Sequence, residues 1–136
     1  MMLSKGNPEM GVKMYLEAAK MADLLSSKEP DTSLSPIAYE LISQSFALYE
    51  EHMGESKLQS RCIVSIVGTL LSVRCLSDDD YSSLIMKVTQ YSAKMLKKSD
   101  QCEMVARCSH LFYVVDDKVS LTRNRKTDFQ PQCVYY

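Results

Sequence analysis

The chain is poor in the features that announce membrane insertion, catalysis or nucleic-acid binding. No apolar run in its 136 residues approaches the ~20 that a membrane-spanning helix needs. The N-terminus has no basic segment followed by an apolar stretch and a small-residue cleavage site, so a soluble, cytosolic chain is expected. Sixteen Lys and Arg against seventeen Asp and Glu leave a formal net charge of −1, which gives no basic field for phosphates and argues against nucleic acid. There are two histidines, His52 and His110, and no Gly-rich phosphate loop, Gly-x-Ser-x-Gly or His-Glu-x-x-His. No enzymatic constellation and no cofactor site is expected.

The cysteines, at positions 62, 75, 102, 108 and 133, form no Cys-x-x-Cys pair and are odd in number. A disulfide framework or a structural zinc is therefore not expected, and three of them sit among apolar residues as small hydrophobes. Cys108 and His110 come nearest to a site. Two positions apart on a helix, they diverge by about 200° and cannot converge on one ion. An enzyme using the two would need an activated Cys108 thiolate. A packed or interface role for His110 is the simpler reading, since no carboxylate or nucleophile accompanies it in its helix.

What the sequence does contain is helical periodicity, with no segment alternating as a strand would. Asn7-Pro8 opens a first helix, Asn capping and Pro losing no needed hydrogen bond, and Met10, Met14, Ala18, Met21 and Leu25 form its apolar stripe. Residues 26–35 read as a loop ending in a second start signal, Ser35-Pro36. The next helix carries Leu41, Ile42, Ser45, Phe46 and Tyr49 on one side and can end at Gly54 through a left-handed backbone. A third helix, about Ser56 to Cys75, has a broad face of Cys62, Ile63, Ile66, Val67, Leu70 and Val73, which implies neighbours on two sides. Ser77 with Asp80 marks a fourth start, where Asp78, Asp79 and Asp80 suit the helix dipole. Leu84, Ile85, Val88, Tyr91, Ser92, Met95 and Leu96 are expected to face inward from that helix. Ser99-Asp100 caps a fifth, with Met104, Val105, Cys108, Leu111, Phe112 and Val115 as its stripe. Five helices with a pair period of about 40 residues fit HEAT-type repeats, although periodicity alone leaves a closed bundle and an α-solenoid nearly equal.

The stretch from Tyr91 to Tyr113 closes one helix on Lys97-Lys98 and opens the next on Asp100-Gln101-Cys102, before Ser109-His110-Leu111-Phe112-Tyr113. This wording resembles the retromer large subunit family, vacuolar protein sorting-associated protein 35. The likeness extends through Tyr39–Glu50 and Ser56–Thr69, and covers roughly residues 8–118. It implies an all-α, HEAT-like helical-repeat solenoid segment: residues 1–7 as a lead, 8–118 as the repeat segment, and 119–136 as a divergent, loose tail. In the family the matched region lies deep in the C-terminal half, so the chain reads as a fragment. A segment of two or three helix pairs should expose apolar surface at its ends.

The resemblance also implies a function, that of a scaffold in retrograde transport of cargo from endosomes, cytoplasmic and peripheral on endosomal membranes through the complex. No lipid-binding helix or lipidation signal is visible, so sorting nexins and cargo would be reached indirectly. Two contacts are expected by resemblance. The metallophosphoesterase-fold retromer subunit would be met at His110 and Tyr113, the latter standing where the family usually has Trp; Leu111 and Phe112 read as ordinary core. A second copy would pair Lys94, Lys97 and Lys98 with Glu50 and Glu51, His52 standing where a third acid is common. From spacing alone the lysines equally suit dipole complementarity near a helix C-terminus. Glu50 and Glu51, near the end of a helix, do not suit it. A helical-repeat adaptor of another complex is the alternative.

Overall fold

A computed structural model describes residues 7–29, 31 and 33–112. Among these, five helices follow one another with no strand: α1 (Pro8–Lys28), α2 (Ser35–His52), α3 (Ser56–Ser72), α4 (Asp78–Ala93) and α5 (Lys98–Phe112). The expected caps form at two starts. The Asn7 side chain accepts from the Met10 amide at 3.2 Å, and the Ser77 hydroxyl from the Asp80 amide at 3.2 Å. Each satisfies a donor that the first turn leaves without an intrahelical partner.

Contacts at the helix ends define the stack. Gly11, near the start of α1, faces Leu48, near the end of α2, so closely that a Cβ there would stand 3.0 Å from the leucine Cδ1. Consecutive helices are therefore antiparallel, as are α4 and α5, where the Tyr81 hydroxyl donates to the Leu111 carbonyl at 2.9 Å. Alternate helices run parallel. Arg61 of α3 meets Glu9 of α1 at 3.4 Å, Ser56 of α3 donates to Asp100 of α5 at 2.8 Å, and Glu50 of α2 meets Lys87 of α4 at 3.4 Å. The odd helices thus form one layer and the even helices the other, which is the helical-repeat arrangement. The broad apolar face of α3 is fully used: Cys62, Ile63, Ile66 and Leu70 are essentially sealed from solvent beneath α1, α4 and α5.

The stripes of α2, α3 and α5 lie where the periodicity puts them, with Val115 outside the described residues. Helix α1 differs. Its buried residues are Gly11, Val12, Leu16, Ala19 and Ala22, while Met10, Met14, Met21, Leu24 and Leu25 are each about half exposed. Gly11, Ala19 and Ala22 lie inward beside Val12 and Leu16, with α1 and α2 in close approach at Gly11, and the methionines cover the outer face instead. That outer face supplies the exposed apolar surface expected of a segment cut from an array.

Three helix ends also differ from expectation. Gly54 adopts no left-handed backbone, and α2 instead stops at Met53, whose amide bonds to the Tyr49 carbonyl at 3.2 Å. Helix α3 ends at Ser72 because Asp23 of α1 captures the next amides, accepting from Arg74 and Cys75 at 2.8 Å each. Helix α5 starts at Lys98, so Ser99 and Asp100 fall within its first turn, where Asp100 engages Ser56.

Replacing Asp23 by Ala leaves those two amides without their carboxylate and should lower unfolding free energy in urea by about 1–3 kcal/mol. The double variant Met14→Gln, Met21→Gln should leave the urea midpoint nearly unchanged and reduce fluorescence of a dye that reports exposed apolar surface.

Candidate functional site

The C-terminal ends of α2 and α4 lie side by side because those helices are parallel in one layer. Their junction is aromatic. The Tyr91 ring stacks on Tyr49 at 4.6 Å between centroids and meets Phe46 edge-on at 5.6 Å. Such pairs are worth about 0.5–1.5 kcal/mol beyond the area they bury. Lys87, one turn before Tyr91, holds its ammonium 5.6 Å over the Phe46 ring and 6.0 Å over that of Tyr91.

Glu50 completes this cluster. Its Oε1 accepts from the Tyr91 hydroxyl and lies 3.4 Å from Lys87 Nζ. The tyrosine hydrogen bond, the largest effect, holds the Glu50 carboxyl below the ordinary 4.5; burial opposes it, and the charges of Lys87 and then Lys94 add smaller lowering effects. Burial, and then the same hydrogen bond, push the Tyr91 phenol well above the usual value. The acid that looked unfavourably placed at a helix end is therefore satisfied within its own chain. Glu51 differs: its side chain is 68% exposed and has His52 Nε2 at 3.6 Å.

Lys94, Lys97 and Lys98 are exposed on the α4–α5 turn beside this cluster. Lys94 is the C-cap of α4, and Lys98 begins α5. Between them Met95 turns into the core while Leu96 points outward, contrary to the inward position its spacing suggests, because the chain leaves helical geometry at Lys94. Gln101 fixes this turn, its side-chain amide donating to the Ala93 carbonyl at the end of α4. The lysines and Glu50 with Glu51 thus share one edge of the molecule.

The second expected surface lies on α5. His110 is exposed in its last turn, while Leu111 and Phe112 are buried, as the stripe requires. Tyr113 lies outside the described residues. Cys108 faces away from His110, fully buried with its sulfur 3.2 Å from the Ser92 hydroxyl, so the two do not form a catalytic pair. Cys62 is likewise a core residue, its thiol pushed up to about 11 chiefly by burial. No described helix is long and apolar enough to cross a membrane.

Tyr91, Lys87 and Gln101 escaped the reading of the sequence as site residues. The i, i+4 spacing of Lys87 and Tyr91 hints at a shared face, but their partner Glu50 lies some forty positions away and its proximity arises only from helix stacking.

The family model for vacuolar protein sorting-associated protein 35 matches residues 1–131. Vacuolar protein sorting-associated protein 35B of Arabidopsis thaliana is 43% identical over 109 residues, covering 80% of this chain and 13% of that protein. The Schizosaccharomyces pombe protein of the same name is 42% identical over 107 residues, with 79% and 12% covered. Protein 35A of Arabidopsis is 38% identical over 110 residues, with 81% and 13% covered. The chain therefore spans about an eighth of the length of the curated relatives it matches.

The Tyr91→Phe variant should bring the Glu50 pKa back toward 4.5, readable by NMR titration of the carboxyl. A carboxyl with a lowered folded pKa contributes stability that is present above its unfolded value and is lost as pH falls through the folded one. Urea stability of the parent should accordingly fall more steeply than that of the variant between about pH 5 and pH 3.

Proposed function

This chain belongs to the vacuolar protein sorting-associated protein 35 family, and from that premise we propose that it is a scaffold segment of the retromer coat. Its work is to bind other subunits during retrieval of cargo from endosomes to the Golgi or plasma membrane. It acts by presenting surfaces and not by chemistry. The observation that carries this reading is the stack itself: rigid helix ends gather charged and apolar groups on an edge, and a helix face carries an exposed histidine.

In this reading the metallophosphoesterase-fold retromer subunit docks at His110 of α5 and at Tyr113, the latter outside the described residues. A second copy meets the edge, its Lys94, Lys97 and Lys98 facing Glu50 and Glu51. The internal tie of Glu50 leaves Glu51 as the freer of the two acids for that pairing. Exposed ion pairs contribute ~0 to 1 kcal/mol each, and salt screens them over a Debye length of ~8 Å, which suits a coat that must come apart. Sorting nexins and cargo are reached through the complex, and the chain is cytoplasmic and peripheral on endosomal membranes by the same route.

A pull-down of the chain with the phosphoesterase-fold subunit from the same organism tests this reading. The parent should bind, and His110→Arg, folded by circular dichroism, should lose at least tenfold in affinity. A folded parent that fails to bind removes the scaffold assignment for this segment.

A further inference from the structure

The two layers of the stack are held together differently. In the odd layer α3 packs against both α1 and α5, and Arg61 with Glu9 and Ser56 with Asp100 tie the helices near their starts. In the even layer the backbones of α2 and α4 hardly approach one another. Side chains span that gap at the C-terminal ends: Phe46, Tyr49 and Glu50 from α2, Lys87 and Tyr91 from α4. Helices close in one layer and parted in the other make a bend, with the odd layer on its inner side.

On that inner side lies an open groove of about 550 Å³, lined among others by Lys13 of α1, Arg61 and Val64 of α3, and Glu103 and Met104 of α5. Its charges are of both signs and largely engaged within the chain, Lys13 and Arg61 with Glu9 and Glu103 with Arg107. The width of the groove is therefore set by how far α1 and α5 lean together over α3. Parting α2 further from α4 would swing α1 and α2 about the odd-layer contacts and bring the outer faces of α1 and α5 together.

The cluster across the even layer is made to hold and to yield. Phe46 and Tyr49 are buried, whereas the side chains of Glu50 and Lys87 are 49% and 46% exposed. Water competes for the polar half, so it can open while the rings stay packed beneath. We propose that Glu50, bridging Tyr91 and Lys87, is a clasp that limits the bend of this stack and so holds open the groove on the opposite face. The two faces are then linked mechanically: a ligand that needs the groove wide is favoured by a closed clasp, and by linkage its binding tightens the clasp. This bend belongs to the chain itself and does not depend on which partner the scaffold binds.

Spin-label distances in the full 136-residue chain test this, with Cys75→Ala, Cys102→Ala and Cys133→Ala, and with the buried Cys62 and Cys108 retained. One pair of labels sits on the outer faces of the even helices, at Gln44→Cys and Ser83→Cys, and a second on the groove side of the odd helices, at Glu17→Cys and Ala106→Cys; all four positions are exposed. Glu50→Ala, folded by circular dichroism, should lengthen the first distance by on the order of 2 Å and shorten the second. Glu50→Gln, which can still accept from Tyr91, should fall between it and the parent. Salt at about 1 M, where the Debye length is ~3 Å, should move the parent part of the way in the same directions. Distances unchanged in folded Glu50→Ala overturn the clasp. Broadening of both distributions without opposite shifts of their means reports local loosening in place of a hinge and overturns it as well.

Discussion

Each helix of this chain can bury its apolar face only against its neighbours in the stack, and α3 carries the greatest share of that burden. Its face spans two neighbours of its own layer and one from the other, so Ile63, Ile66 and Leu70 are the residues on which α1, α4 and α5 all depend. Removing a buried Ile or Leu from such a place costs about 2–5 kcal/mol, a large part of the stability of a domain this size. The polar ties at the layer ends, Asp23 to the amides after α3 and Ser56 to Asp100, supplement this packing by setting register.

Register is what brings the charged edge into being. Because α2 and α4 are parallel and level, Glu50 reaches Tyr91 and Lys87, residues in a separate helix pair. The same levelness puts the α2–α3 and α4–α5 turns near one edge, with acids on the first and lysines on the second. The aromatic cluster of Phe46, Tyr49 and Tyr91 stiffens the junction beneath them. A recognition surface assembled at helix ends inherits its geometry from the core, and this is why Glu50 is better understood as part of the junction than as a free charge awaiting a partner.

The existence, order and inward stripes of α2 to α5 were legible because their large apolar residues recur at helical spacing and point one way. Helix α1 misled because both of its faces carry apolar residues. Size favoured Met10, Met14, Met21 and Leu25 as core, whereas Gly11, Ala19 and Ala22 lie inward, with α2 in close approach at Gly11. Leu96 misled for a related reason: helical spacing was carried three residues beyond the end of α4 at Ala93. The end of α3 and the satisfaction of Glu50 were beyond reach, since each depends on a hydrogen bond spanning more than forty positions. The lysine patch, His110 and the acids were singled out from wording and spacing; what surrounds them was not legible there.

The two exposed apolar features differ in kind. On α1 the half-exposed Met10, Met14, Met21 and Leu25 run along a helix, the geometry of a face that another helix covers in a stack. Methionine suits such a face, because its flexible, polarisable side chain conforms to an irregular neighbour. Glu17, 69% exposed, shares that surface with Lys13 and Lys20, each lysine paired with an acid of α1 itself. At Leu96 a single side chain stands on a fixed turn within three lysines. Burying it without meeting acids would strand those charges at an interface, a cost that rejects most surfaces before affinity is considered. A broad stripe whose charges are paired within its own helix favours packing of another helix, and a knob within charge favours discrimination; the same chain carries both because a repeat ends its helices in turns.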